Sequence, residues 1–253
     1  MNIAIIFAGG SGARMGAGIP KQFIEVNGKP IIIHTLDIFE DNPLIDEIYV
    51  ACKEDCIKQL DKYCKKFMIT KVKKIVPGGK TGQDSIYNAL TAARENNSDD
   101  AIVLIHDGVR PCITKETIGA NIESVKEYGS AITCTSLYET PVLSEDGKSI
   151  DQVPDRSKYY TAQAPQSFYL GDVIKAHNEI RKINPEYNGI VDTCNLMKSL
   201  GKDVRIVPGP RGNIKVTTPE DIFTFRAMIE YRESVQTFGF TRNEIPSKLV
   251  KEE

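Results

Sequence analysis

Five glycines, Gly9, Gly10, Gly12, Gly16 and Gly18, fall within ten residues near the start of the chain, with Arg14 among them and Lys21 just beyond. Glycine lets the backbone turn sharply and bring its N–H groups up to an anion without a side chain in the way. Arg14 and Lys21 add the fixed positive charges that a polyphosphate needs. With Ala8 and Ser11, this is the inventory of a triphosphate cradle. It is not a dinucleotide fingerprint, because Met15 stands where the third glycine of G-x-G-x-x-G belongs, and it is not a P-loop, because no Gly-Lys-Ser/Thr follows. A glycine-rich turn with two surface cations is the plainer alternative for this loop by itself.

Three other places carry candidate chemistry. His106-Asp107-Gly108-Val109-Arg110-Pro111 closes an apolar run at Ala101 to Ile105. A carboxylate at the carboxyl end of a strand is placed to hold Mg²⁺ against phosphate oxygens; an ordinary turn with Arg110 pairing internally is the competing reading. Pro77 to Ser85 is a second glycine-rich junction, in which Gly78, Gly79 and Gly82 leave the backbone free to reach the edge of a base. Ser85 either contacts that base or helps cap the following helix. Arg156, and Lys215 within Gly212 to Thr217, are ordinary solvated cations unless other residues join them.

The elements that must position these residues alternate. Strand patterns occupy Ile3 to Phe7, Glu47 to Cys52, Val72 to Val76, Ala101 to Ile105, Ala131 to Leu137 and Val204 to Val207. Helical patterns cover Ile31 to Phe39, Cys56 to Phe67, Ser85 to Asn96, Glu116 to Tyr128, Gly171 to Ile183 and Asp192 to Leu200, with a further helix from Thr218-Pro219 to Tyr231 or beyond. Thr218 reads as its N-cap and Pro219 as its first residue. This order predicts a single α/β domain over residues 1–235, a mainly parallel sheet with helices on both faces. Thr140 to Gln163 breaks the rhythm, and its Glu145-Asp146-Gly147 tip between short apolar runs predicts a projecting β-hairpin, an arm over about 138–163. A lone hairpin is poorly stable, so it would pack on another subunit or stay loose. Residues 236–253 show no clear period and read as a tail.

Composition narrows the classes. A chain of 253 residues with 26% charged residues and a net charge of −2 carries no broad nucleic-acid-binding signal. No apolar run approaches a membrane span and no basic leader precedes the first strand, so the cytoplasm is the expected location. The six cysteines contain no C-x-x-C pair and the three histidines are scattered, which predicts reduced thiols rather than a metal cluster.

Taken together, the blocks FAGGSGARMG…PKQF, GGKTGQDS, HDGVRP, PDR…APQSF and NIKVTTPED occur in the order seen in the sugar- and polyol-phosphate cytidylyltransferases, and the chain resembles that family from about residue 2 to 232. The resemblance implies a Rossmann-like nucleotidyltransferase domain, CTP and Mg²⁺, and a homodimer in which each arm completes the neighbouring site. It implies that Arg14, Lys21, Lys215 and Arg156 are catalytic and that Asp107 binds the metal. Ala8, Gly9, Gly10, Ser11, Gly12, Gly79, Lys80, Ser85, Asp107 and Gly108 would hold the nucleotide. Thr140, Arg156, Asp192, Lys215 and Arg110 would meet the phosphorylated acceptor. Two departures bear on that acceptor. Val191 stands where the methylerythritol enzymes usually have Thr before the Asp, and Gly212 stands where they tend to carry Asp. These tilt the reading toward ribitol 5-phosphate and cell-surface polymers such as teichoic acid, with methylerythritol phosphate and isoprenoid synthesis as the alternative within the family and a noncatalytic nucleotide-binding module as the alternative from another class.

Overall fold

The computed structural model describes residues 1–9 and 19–238. The predicted Gly10, Ser11, Gly12 and Arg14 contacts lie outside the described residues, as does the tail beyond 238. In chain order the elements are β1 (Asn2–Ala8), the short pair β2 (Glu25–Val26) and β3 (Lys29–Pro30), α1 (Ile31–Glu40), β4 (Glu47–Cys52), α2 (Ile57–Lys66), β5 (Val72–Pro77), α3 (Gly82–Arg94), β6 (Ile102–Asp107), α4 (Lys115–Tyr128), β7 (Ser130–Ser136), β8 (Tyr160–Tyr169), α5 (Leu170–Ile183), α6 (Thr193–Ser199), β9 (Ile206–Pro208) and α7 (Pro219–Phe238). β2 and β3 are joined by Asn27-Gly28, both at positive φ, the backbone that a two-residue hairpin turn requires.

Seven strands form one sheet in the order β5-β4-β1-β6-β8-β7-β9. β8 runs antiparallel to both neighbours and the remaining pairs are parallel. Side chains alternate between faces as a pleated strand dictates. On β1, Ala4 and Ile6 join the core formed with α1, α2 and α4, while Ile3 and Ile5 join the core formed with α3, α5 and α6. β6 divides in the same way, with Ile102 and Leu104 on one side and Val103 and Ile105 on the other. Helices therefore cover both faces, and burying apolar surface on both explains why these strands are continuous hydrophobic runs. A third, smaller cluster ties Val109 and Val216 to Phe225 of α7.

Three expectations are corrected. The arm is not a hairpin ladder: between β7 and β8 it holds one isolated antiparallel bridge, Leu143 with Gln152. Its apolar residues Val142, Leu143, Ile150 and Val153 are exposed, so nothing among the described residues supplies the face that a ladder packs on. Its tip is held instead by Asp146, which accepts from the N–H groups of Lys148 and Ser149 at 2.7 and 2.9 Å. Residues 160–163, assigned to the arm, begin β8, and Tyr160, Thr161 and Ala162 pair with β7. Finally, α7 runs through the boundary placed at 235, to Phe238. Its start is as expected at Pro219, but the Asp221 carboxylate does the capping, accepting from the Thr217 and Thr218 N–H groups at 2.7 and 2.8 Å. Among the described residues no helix is long and apolar enough to cross a membrane.

Candidate active site

β1 and β6 are adjacent and parallel, so their carboxyl ends open at the same edge of the sheet. Gly9 follows β1 and Asp107 ends β6. The second glycine junction enters from β5. An added Cβ at Gly9 or at Gly78 would in each case lie 3.0 Å from the Ser85 hydroxyl, so the two glycine loops converge on Ser85. That hydroxyl donates to the Thr81 carbonyl at 3.0 Å and accepts from the Gly79 N–H at 3.0 Å. The cap of α3 is Thr81, not Ser85: Thr81 Oγ1 accepts from the Asp84 N–H at 3.0 Å and Asp84 Oδ2 accepts from the Thr81 N–H at 3.1 Å. The Thr-x-x-Asp spacing was the sequence signal for that capping box.

Lys21 sits in a single 3-10 turn, Lys21–Phe23, and donates to the Val216 carbonyl at 3.1 Å. Gln22 beside it is buried and donates to the Ala8 carbonyl at 2.9 Å, fixing the turn to the end of β1. Lys215 approaches from the same loop, with Nζ 2.5 Å from Asp107 Oδ1. Arg110 Nε lies 3.3 Å from Asp107 Oδ2, and its Nη1 donates to the Asn213 carbonyl at 2.5 Å. Asp107 is buried, which by itself raises a carboxyl pKa; Lys215 and then Arg110 outweigh that and hold it below the ordinary value. It is an anion clamped between two cations.

Two adjoining cavities share Asp107, Lys215, Phe7 and Gly82. The larger, about 400 Å³, is lined by Ala8, Gly9, Lys21, Gly79, Lys80 and Ser85. The other, about 240 Å³, is lined by Arg110, Gln163, Gln166, Val191 and Asp192. Asp192 spends both oxygens internally, on the Asn195 N–H at 2.7 Å as N-cap of α6 and on Gln166 Nε2 at 2.9 Å. Val191 is 84% exposed at the rim. Gly108 lines neither cavity: its N–H donates to the Phe7 carbonyl at 3.0 Å and an added Cβ would lie 2.9 Å from that of Ala8, so it lets two backbones pack closely. Thr140 and Arg156 also line neither, and Arg156 donates to the Tyr138 carbonyl at 3.1 Å. Sequence reasoning missed Gln163, Gln166 and the Asn213 side chain, which donates to Gln163 Oε1 at 3.1 Å and to the Ala164 carbonyl at 2.7 Å. Amides carry no charge or period to mark them.

Among the described residues no three His, Cys, Asp or Glu side chains are grouped to hold a metal. One carboxylate plus phosphate oxygens and water is, however, the donor set Mg²⁺ usually takes, and Asp107 fits it.

A mostly parallel α/β sheet with a cation-rich, two-chambered cleft at its carboxyl edge defines a nucleotidyltransferase. The chain belongs to the family described as IspD, 2-C-methyl-D-erythritol 4-phosphate cytidylyltransferase, whose model matches residues 2–231. It is 48% identical over 240 residues to a ribitol-5-phosphate cytidylyltransferase of Streptococcus agalactiae, covering 94% of this chain and 99% of that one. It is 37% identical over 230 residues to a 2-C-methyl-D-erythritol 4-phosphate cytidylyltransferase of Clostridium botulinum, covering 90% and 97%. The crystal structure of 4-diphosphocytidyl-2C-methyl-D-erythritol synthase from Anaerococcus prevotii superposes with a TM-score of 0.76 at 28% identity, over 90% of this chain and 96% of that one.

Proposed function

We propose that this enzyme transfers the cytidylyl group of CTP to ribitol 5-phosphate, giving CDP-ribitol and pyrophosphate. The observation that carries this reading is the pair of cavities meeting at Lys215 and Asp107. One has the glycine backbone and cations suited to a triphosphate, and the other offers amides, Arg110 and an open rim to a second phosphate ester with a hydroxylated chain. The higher identity to the ribitol enzyme over nearly the same span supports the acceptor.

An oxygen of the acceptor phosphate attacks the α-phosphorus of CTP, a P–O bond forms, and the bond to the β-phosphate breaks with its electrons leaving on pyrophosphate. The nucleophile is already an anion, so no general base is required. Holding two mutually repelling anions in line and stabilising charge at the α-phosphate is the chemical task. Lys21 and Lys215 would do this from two loops, and the bond from Lys21 to the Val216 carbonyl, which joins those loops, supports their acting together. Asp107 would hold Mg²⁺, which would supply charge neutralisation at the phosphates, and Lys215 would then exchange its contact with Asp107 for one with phosphate oxygens. Arg14 would act with Lys21 on the triphosphate, and Thr140 and Arg156 would reach a neighbouring copy's acceptor cavity from the arm. The exposed apolar residues of the arm support such a homodimer. Six free thiols support a cytoplasmic location, and a CDP-polyol would feed a cell-surface polymer such as teichoic acid.

Pyrophosphate release is the test. It should require CTP, Mg²⁺ and ribitol 5-phosphate together, with kcat/KM for ribitol 5-phosphate about tenfold or more above that for 2-C-methyl-D-erythritol 4-phosphate. The reverse ranking would move the chain to the methylerythritol reaction, and no release with either would sink both.

A further inference from the structure

α5 carries a residue that none of the motifs contains. Arg181 Nη1 lies 3.0 Å from Asp84 Oδ1, across from the first turn of α3. Its guanidinium carbon sits 4.5 Å from the Tyr87 ring centroid and 5.8 Å from that of Tyr187, so it is held between two aromatic rings. Tyr187 is fixed in turn by His177 Nδ1, 2.7 Å from its hydroxyl, and Tyr87 donates to Asn178 on α5 at 2.7 Å. Stacking restricts a guanidinium to a plane and so fixes the direction of its hydrogen bonds.

Asp84 is the partner through which this matters. One oxygen takes Arg181 and the other closes the capping box on Thr81. A Cβ on Gly79 would fall 2.1 Å from that of Asp84, so the loop backbone lies directly against it. Displacing Asp84 therefore releases both the cap and the surface on which Gly79 rests. The Gly79 N–H is also bonded to Ser85, one turn into α3.

We propose that Arg181 is a positioning residue: through Asp84 it sets the Gly79 to Ser85 loop for binding the nucleotide base, and it affects CTP affinity without touching substrate. This rests on the assignment of that loop to the nucleotide half of the cleft. Arg181 lines an adjoining groove, which shares Gly79, Lys80 and Thr81 with the larger cavity, and lines neither of the two cavities described above. Its side chain is 37% exposed, so replacing it leaves the cores intact.

The test combines steady-state kinetics with calorimetric titration of CTP in Mg²⁺ without acceptor. Arg181→Met should raise both KM and Kd for CTP about threefold to fivefold, the effect of losing roughly one partly exposed ion pair, while kcat and the acceptor KM stay within about twofold. Arg181→Lys should recover part of the loss. Asp84→Asn should weaken CTP similarly, and the double variant should fall well short of the product of the two effects. Unchanged CTP affinity, equal rises in both KM values, or full additivity would overturn the proposal. Should Arg181→Met fail to fold, Arg181→Lys and Asp84→Asn make the same comparison. If the wild type turns over neither acceptor, calorimetry still reads CTP binding, so failure of the reaction and failure of the positioning role are told apart.

Discussion

Lys215 and Arg110 grip opposite oxygens of Asp107, and the three become one unit only when the chain is folded. Behind them His106 is fully buried, with Nε2 at 3.0 Å from the Arg110 carbonyl and, among the described residues, no partner for Nδ1. His177 is buried as completely, with Nδ1 on Tyr187 and, among the described residues, no partner for Nε2. Burial lowers both pKa values, to about 4 for His106 and about 3 for His177, so both are neutral in the folded protein at pH 7. In the unfolded chain each titrates near 6.5. Because the folded values are lowered, the stabilisation is full above about pH 6.5 and is lost as pH falls toward 4 and 3. Each histidine then adds about 1.4 kcal/mol per pH unit to the slope of stability near pH 5. Denaturant unfolding of His177→Phe between pH 4.5 and 6.5 should show the slope reduced by about that amount, whatever the variant's stability at pH 7. An unchanged slope would mean that His177 is protonated in the folded state.

At the scale of elements, the sequence told strands from helices wherever apolar periodicity was unmixed. Glu47–Cys52 was delimited to the residue, and Ile86, Ala89, Leu90 and Ala93 on α3 are buried as their spacing required. β8 was not legible, because its polar residues and Pro165 give no clean alternation and its partners are set by the insertion between β6 and β7. The glycine loops and Asp107 announced themselves by residue type. The amides around Asn213, and Arg181 on α5, acquire roles only from tertiary placement, which local sequence cannot encode. Gly212 shows the same limit from the other side. A Cβ there would lie 2.4 Å from Met228 Cε, the end of a flexible side chain on α7 that must turn aside to admit it. Gly212→Asp should therefore cost no more than about 1 kcal/mol, the scale of one displaced rotamer. Met228→Ala in the same chain should return part of that, read as the midpoint of denaturant unfolding. Equal midpoints for the single and double variants would show that α7 is not what excludes the carboxylate.

On the scale of the whole molecule, the arm is the part that this fold does not use. Val142, Leu143, Ile150 and Val153 lie about half or more in solvent on a segment with a single bridge, and Tyr159 and Tyr160 are nearly half exposed at its base. Apolar groups in such a cluster stabilise a protein only when another surface covers them. The arm also holds Thr140 and Arg156, two residues of the expected site that line neither cavity. Both facts have one explanation if two copies exchange arms, since the same contact would bury the apolar residues and carry a cation to the partner's acceptor phosphate. The double substitution Ile150→Asp with Val153→Asp puts two charges into that contact while leaving both cores and the nucleotide cavity untouched. Sedimentation at micromolar concentration should give a dimer for the wild type and a monomer for the variant. Turnover should fall about tenfold or more through loss of the charged contact, with CTP affinity unchanged within about twofold. A monomeric wild type with full activity would reject the exchange, and so would a monomeric variant that turns over as fast as the dimer.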